Sequence, residues 1–220
     1  MRGFFLTVKF VRRELTLAFL SLLCFILFTY AVVNLDFLKT LDEKLVREPR
    51  PFYTTLRYFT LMIFDNYGLR WVSFVALIIF SLLAYKKIKH NIFLFLPFLA
   101  LLLVNGSVAF FKFFLDRSKP SSGYSNWQTS IYHSYPSGHM VNIVVIYLLA
   151  FLLIKNSGIF ESKRVKPYYL MNAVLTFGFF TTSLLRNTHW LTDLIGGVFL
   201  GVALYYICKA ILIFATHSRP

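Results

Sequence analysis

The chain has 220 residues, 58% of them hydrophobic, with 26 phenylalanines and a formal net charge of +14. That apolar content lies outside the range of soluble globular domains and makes the bilayer the solvent of this protein. The 23 basic residues are dispersed between apolar runs rather than gathered on one polar element, which argues against a nucleic-acid partner.

Taken in chain order, the basic residues Arg2, Lys9, Arg12 and Arg13 precede an apolar run over 15–33. The run is too long for the core of a cleaved signal peptide, and no small-residue cleavage site follows it. Six spans are predicted, at 15–34, 69–85, 91–111, 138–154, 168–186 and 191–214, each poor in charge. In lipid every backbone group must be satisfied within its own segment, so these spans are expected to be helices. The predicted fold is all-α: a polytopic membrane protein with six transmembrane helices in one bundle, forming a single membrane-embedded domain over 1–220.

Segment 35–68 is too polar to span. Leu35, Phe37, Leu38, Leu41 and Leu45 interleave with Asp36, Lys39, Asp42 and Lys44, the pattern of an amphipathic helix lying in the interface. Segment 112–137 is rich in proline, serine and glycine and is expected to form an ordered loop over one mouth of the bundle. Lys86, Lys87, Lys89, Lys155, Lys163, Arg164 and Lys166 join the N-terminal cluster on one side, against only Glu14 and Glu161. The positive-inside rule then places both termini in the cytoplasm and the loops 35–68 and 112–137 outside. Cys24 and Cys208 lie within apolar runs and are expected to be buried free thiols, and Trp71, Trp127 and Trp190 read as interfacial belt residues.

Under this topology three chemically distinctive stretches meet at the outer face. They are 112–120 (Lys112 to Pro120, with Asp116, Arg117 and Lys119), Pro136-Ser137-Gly138-His139, and 183–193, which holds Ser183, Arg186, His189, Trp190 and Asp193. The second is a small-residue turn opening a helix, so backbone amides at 137–139 are expected to face an anion, with His139 placed to exchange a proton beside it. In the third, His189 and Asp193 are four residues apart; on a helix they share a face, and the carboxylate orients one imidazole nitrogen while the other stays free for attack. Lys112, Arg117, Lys119 and Arg186 supply the positive charge that a phosphate or diphosphate requires.

These motifs resemble those of the type-2 phosphatidic acid phosphatase superfamily of membrane lipid phosphatases. That pattern is a lysine followed at fixed spacing by Arg-Pro, then Pro-Ser-Gly-His, then Ser-Arg with a downstream His and, four residues later, Asp; here the last part reads His189-Trp190-Leu191-Thr192-Asp193. The resemblance implies that His189 is a nucleophile forming a phosphohistidine, Asp193 its orienting partner and His139 the acid that protonates the leaving lipid oxygen. It also implies that Lys112, Ser137 and the Gly138 amide hold the phosphate.

The sequence departs from that pattern at two positions: Lys119 stands where the first motif has arginine, and Ser183 where the third does. Lysine keeps the charge without the bidentate fork, and serine has no charge. Arg186 is the expected compensation, since on an unbroken helix 186, 189 and 193 would lie within about 60° of one another. Arg117 is the second candidate. A metal or other cofactor is not expected: His133, His139, His189 and Asp193 offer ligand atoms, but among Lys112, Lys119 and Arg186 few carboxylates would offset a cation. The expected reaction is hydrolysis of a lipid phosphomonoester or diphosphate, such as undecaprenyl diphosphate or phosphatidylglycerophosphate, at the extracytoplasmic face. The alternatives are a lipid phosphotransferase and a non-catalytic lipid-phosphate binder or transporter.

Overall fold

A computed structural model describes residues 2–45, 68–120, 133–157, 166–185 and 188–217. Within them every regular element is an α-helix: α1 (Arg2–Asn34), α2 (Asp36–Leu45), α3 (Gly68–Ile88), α4 (Ile92–Leu115), α5 (Gly138–Ser157), α6 (Lys166–Leu185) and α7 (Leu191–His217). All six predicted spans fall largely on long helices. By length and composition four segments suffice to cross a membrane, Thr7–Asn34, Ile92–Leu115, Gly138–Lys155 and Leu191–Thr216, while α6 contributes a shorter apolar stretch, Ala173–Leu184. The α1 helix begins well before the predicted boundary because no proline interrupts the basic segment ahead of the apolar run.

The bundle is apolar on its outside as well as within. Phe19, Leu102 and Phe177 are 64%, 71% and 72% exposed, which in a water-soluble protein would be an aggregation-prone surface and in a bilayer is the lipid-facing one. Cys24 shares this outward surface, so the expectation of two buried thiols holds only for Cys208; Cys24 lies on a helix whose apolar residues largely face outward.

The most enclosed of the four candidate spans is α5. Val141, Val145 and Leu149 on α5 pack with Leu96 and Val104 of α4, Phe25 of α1 and Leu200 and Leu204 of α7. Small residues on α7 permit its approach: a β-carbon at Gly196 would lie 2.5 Å from the Tyr135 hydroxyl, and one at Gly197 would lie 2.9 Å from the Ser137 carbonyl. The Tyr135 ring stacks on Phe25 at 6.0 Å between centroids, and its hydroxyl meets the Thr29 hydroxyl at 2.7 Å. Burial raises the pKa of that phenol above its ordinary value.

At the end of the bundle where α1 begins and α7 ends, the fully buried Glu14 of α1 accepts from Arg13 at 2.6 Å and pairs with Lys209 of α7 at 3.0 Å. A carboxylate inside an apolar span requires such a partner, and this one ties α1 to α7. The opposite end carries the motif residues.

Candidate active site

Three helix termini form this end. The α4 helix stops at Leu115, where Asp116 adopts a left-handed conformation (φ 39°) and donates its amide to the Lys112 carbonyl. The α5 helix starts at Gly138 after Ser137, whose hydroxyl accepts the Met140 amide at 3.5 Å as an N-cap. The α7 helix starts at Leu191 after Trp190, and the Asp193 carboxylate reaches back to the Trp190 amide at 3.0 Å, the acidic half of a capping box.

Backbone and side-chain hydrogen bonds stitch the three stretches together. The Ser134 amide and hydroxyl donate to the Arg117 carbonyl at 2.7 Å and 3.1 Å. The Trp190 indole donates to the Ser118 carbonyl at 2.8 Å, and the Ser137 amide donates to the Asp193 carbonyl at 3.1 Å. The α5 and α7 N-termini are therefore fixed against each other, with His139 on the first turn of one and His189 just ahead of the other.

His189 Nδ1 faces Asp193 Oδ2 at 3.4 Å, so the expected pair is present. Its setting differs from the expectation in one respect. The α6 helix ends at Leu185 and α7 begins at Leu191, so the pair meets across a bend that ties the Thr188 amide to the Ser183 carbonyl at 3.1 Å, not along a continuous helical face. The unbroken helix on which 186, 189 and 193 would align is not formed, because Asp193 caps the start of α7. Arg186 lies outside the described residues.

Arg117 is placed otherwise than at a free phosphate site. One terminal nitrogen donates to Thr192 Oγ1 at 2.6 Å and to Asp193 Oδ1 at 2.8 Å, and the other donates to Asp42 Oδ2 at 2.6 Å. Two buried carboxylates, Asp42 (2% exposed) and Asp193 (0%), share this guanidinium as their counter-ion, because a buried charge without a partner is strongly unfavourable. The cation also lies over the Trp190 ring at 5.4 Å.

Ser137 likewise departs from the expected phosphate contact. It is fully buried, its hydroxyl caps α5, and its amide is bonded to Asp193, so of the amides expected to face an anion at 137–139 this one is occupied. The Gly138 amide keeps its place in the first turn, where no intrahelical acceptor exists. Gly138 also lies tight against α4, with Val108 3.1 Å from where a β-carbon would be.

Lys112 donates to the His133 carbonyl and lies within electrostatic reach of Lys119 and Asp193. Lys119 is exposed at the rim. His133 pairs with Asp116 at 2.5 Å. His139 is half-buried and tilts against Phe179 of α6 with centroids 5.9 Å apart. Ser183 is buried in α6.

Asp42 is the residue that reading the sequence as an interfacial helix passes over. On α2, Leu38, Leu41, Asp42 and Leu45 form the inward face while Phe37 is 74% exposed. Asp42 Oδ1 accepts the Thr192 amide at 3.1 Å and Oδ2 accepts the Thr192 hydroxyl at 2.5 Å. The available signal is its spacing, one and four residues from Leu41 and Leu38, which puts a carboxylate on an apolar stripe. Among the described residues, no group of three or more histidine, cysteine, aspartate or glutamate side chains is close enough to hold a metal ion.

Residues 93–216, more than half of the chain and including all three stretches, match the family model described as PAP2 superfamily. This chain belongs to the PAP2 superfamily. A stretch of 77 residues is 32% identical to phosphatidylglycerophosphatase B of Bacillus subtilis (strain 168), covering 34% of this chain and 37% of that protein. The fold is also similar to the crystal structure of a transmembrane PAP2 type phosphatidylglycerolphosphate phosphatase from Bacillus subtilis. The two agree with a TM-score of 0.67 at 19% identity, over 89% of this chain and 95% of that one. The matched region holds Lys112, the Pro136–His139 turn and the His189/Asp193 pair, whereas α1, α2 and α3, and Asp42 with them, lie outside it.

Proposed function

We propose that this PAP2-superfamily member is a membrane phosphatase that hydrolyses a lipid phosphomonoester or diphosphate through a phosphohistidine on His189. The observation that carries the reading is the His189 imidazole held through Nδ1 by a buried carboxylate, which leaves Nε2 to attack. In-line attack forms a P–N bond and breaks the P–O bond to the lipid, whose oxygen takes a proton from His139. Water, deprotonated by His139, then attacks phosphorus and releases inorganic phosphate and free His189. Lys112, Lys119, the Gly138 amide and Arg186 hold the phosphoryl oxygens in this scheme, with Ser137 shaping the turn that presents Gly138.

All six long helices cross the bilayer in this reading, and α2 lies along the interface with Phe37 toward lipid. The site faces the extracytoplasmic side, since the start of α1, the end of α7 and Lys86, Lys87 and Lys155 lie at the opposite end. The substrate enters laterally with its tail in lipid. Phosphatidylglycerophosphate is the first substrate to try, given the relatives, with undecaprenyl diphosphate, phosphatidic acid and a lipid A phosphate as the comparison panel.

Phosphate release from that panel by purified protein tests the reading. Release is expected in excess EDTA at the same rate as without it, because the cation supply is covalent; loss of activity in chelator, restored by added metal, would overturn the metal-free scheme. Transfer of the phosphoryl group to a second lipid without free phosphate would identify a phosphotransferase. Arg186→Ala is expected to lower kcat/KM by about 10²-fold, the scale of one lost transition-state donor, and wild-type turnover in that variant would remove Arg186 from the cradle.

A further inference from the structure

The two oxygens of Asp193 have different employment. Oδ2 serves His189 and the Trp190 amide, while Oδ1 is held by Arg117. A guanidinium is a rigid planar fork whose preferred pairing with one carboxylate is bidentate. Turned fully on Asp193, Arg117 would engage both oxygens and draw Oδ2 from the imidazole. The contact that opposes this is Asp42, which holds the second terminal nitrogen at 2.6 Å from the far side. Asp42 also takes the Thr192 amide and hydroxyl, so the same carboxylate anchors the α7 turn from which Asp193 projects.

We propose that Asp42 is a positioning residue for the reaction: by splitting Arg117 between two carboxylates it keeps Asp193 Oδ2 available to orient His189. Asp42 touches neither the nucleophile nor the phosphate, and it belongs to α2, outside the matched family region. The inference rests on the phosphohistidine reading and deepens it. Arg117 becomes the linker of a chain Asp42, Arg117, Asp193, His189, and the phosphate cradle is left to other cations.

The test is steady-state kinetics of purified Asp42→Asn, which keeps the shape at 42 and removes the charge. The expected result is a fall in kcat of about 10–100-fold with KM within about threefold of wild type, and partial recovery in Asp42→Glu, which restores the carboxylate. The double variant Asp42→Asn/Asp193→Asn is expected to be no slower than Asp193→Asn alone, because both losses pass through one carboxylate. Wild-type kcat in Asp42→Asn, a change confined to KM, or losses that simply multiply in the double variant would each overturn the proposal. Should Asp42→Asn not fold, Asp42→Ser carries the test: a hydroxyl leaves a small polar group facing Thr192 but no charge to hold the second guanidinium nitrogen, so the same kcat loss is expected and wild-type kcat is the contrary result. Wild type and His189→Ala run alongside separate the two levels. No turnover by wild type on any lipid defeats the phosphatase reading and this inference with it, whereas an active wild type with an unaffected Asp42→Asn defeats this inference alone.

Discussion

His189→Ala is expected to lower phosphate release by about 10⁴-fold or more, the scale seen when the nucleophile of a covalent mechanism is removed. The loss should fall on kcat. The Gly138 amide and the cations of the proposed cradle remain, so substrate still binds. Some stability is lost with a side chain that is only 10% exposed, but its polar contact with Asp193 is long, at 3.4 Å, so the fold is expected to persist. A melting temperature within a few degrees of wild type, measured in detergent, would separate lost chemistry from lost structure. Free imidazole supplied to this variant can occupy the vacated volume and offer the same attacking nitrogen, so partial rescue of release is expected. A His189→Ala protein that turns over at the wild-type rate would remove the nucleophile from the scheme.

Asp193→Asn is expected to cost about 10²–10⁴-fold in kcat, by analogy with loss of the orienting carboxylate in a serine-protease triad. The reason is the number of donors converging on this side chain. Arg117, the Trp190 amide and His189 Nδ1 all point at its two oxygens. An asparagine can present only one oxygen. With its oxygen toward Arg117, its amide group faces His189 and the Trp190 N–H, so the imidazole must accept at Nδ1 and carry its proton on Nε2, the atom that should attack. With its oxygen toward His189, the amide group faces the guanidinium, donor against donor, and Asp42 alone pairs with the cation. Kinetics and thermal melts of the same preparation check this, and a kcat within threefold of wild type would show that Asp193 is only a helix cap.

The helices were legible because lipid imposes one backbone solution on a long apolar run, so their positions follow from hydropathy. The bends between them were less so. Spacing shows that 189 and 193 share a face if they lie on one helix, but not that Asp193 caps the Trp190 amide and starts the helix at Leu191, with His189 in the bend ahead of it. Ser137 shows a related limit: a serine ahead of a helix is equally a cap or an anion ligand in sequence, and only burial and the bond from its amide to Asp193 separate the two. Arg117 and Asp42 were out of reach for a different reason. The identity of a counter-ion depends on tertiary contact, and Asp42 meets Thr192 across 150 residues. An aspartate among lysines on an amphipathic helix reads as the water-facing side until its neighbours Leu38 and Leu41 are seen to point inward.

The family pattern places arginines where this chain has Lys119 and Ser183. Ser183 is buried within α6, and its carbonyl accepts the Thr188 amide, a bond that any residue there could make; nothing in the structure explains the serine. Lys119 stands exposed at the rim, free of the planar geometry an arginine would impose, beside Lys112.

The most direct measurement is rapid quenching of the purified protein during turnover of a lipid phosphate labelled in its phosphoryl group, followed by analysis of label on the polypeptide. The expected result is a covalent label that is stable in alkali and lost in acid, maps to the peptide containing His189, and is absent from His189→Ala. Label of the same amount on His189→Ala, or steady phosphate release with no covalent label at any time, would contradict it.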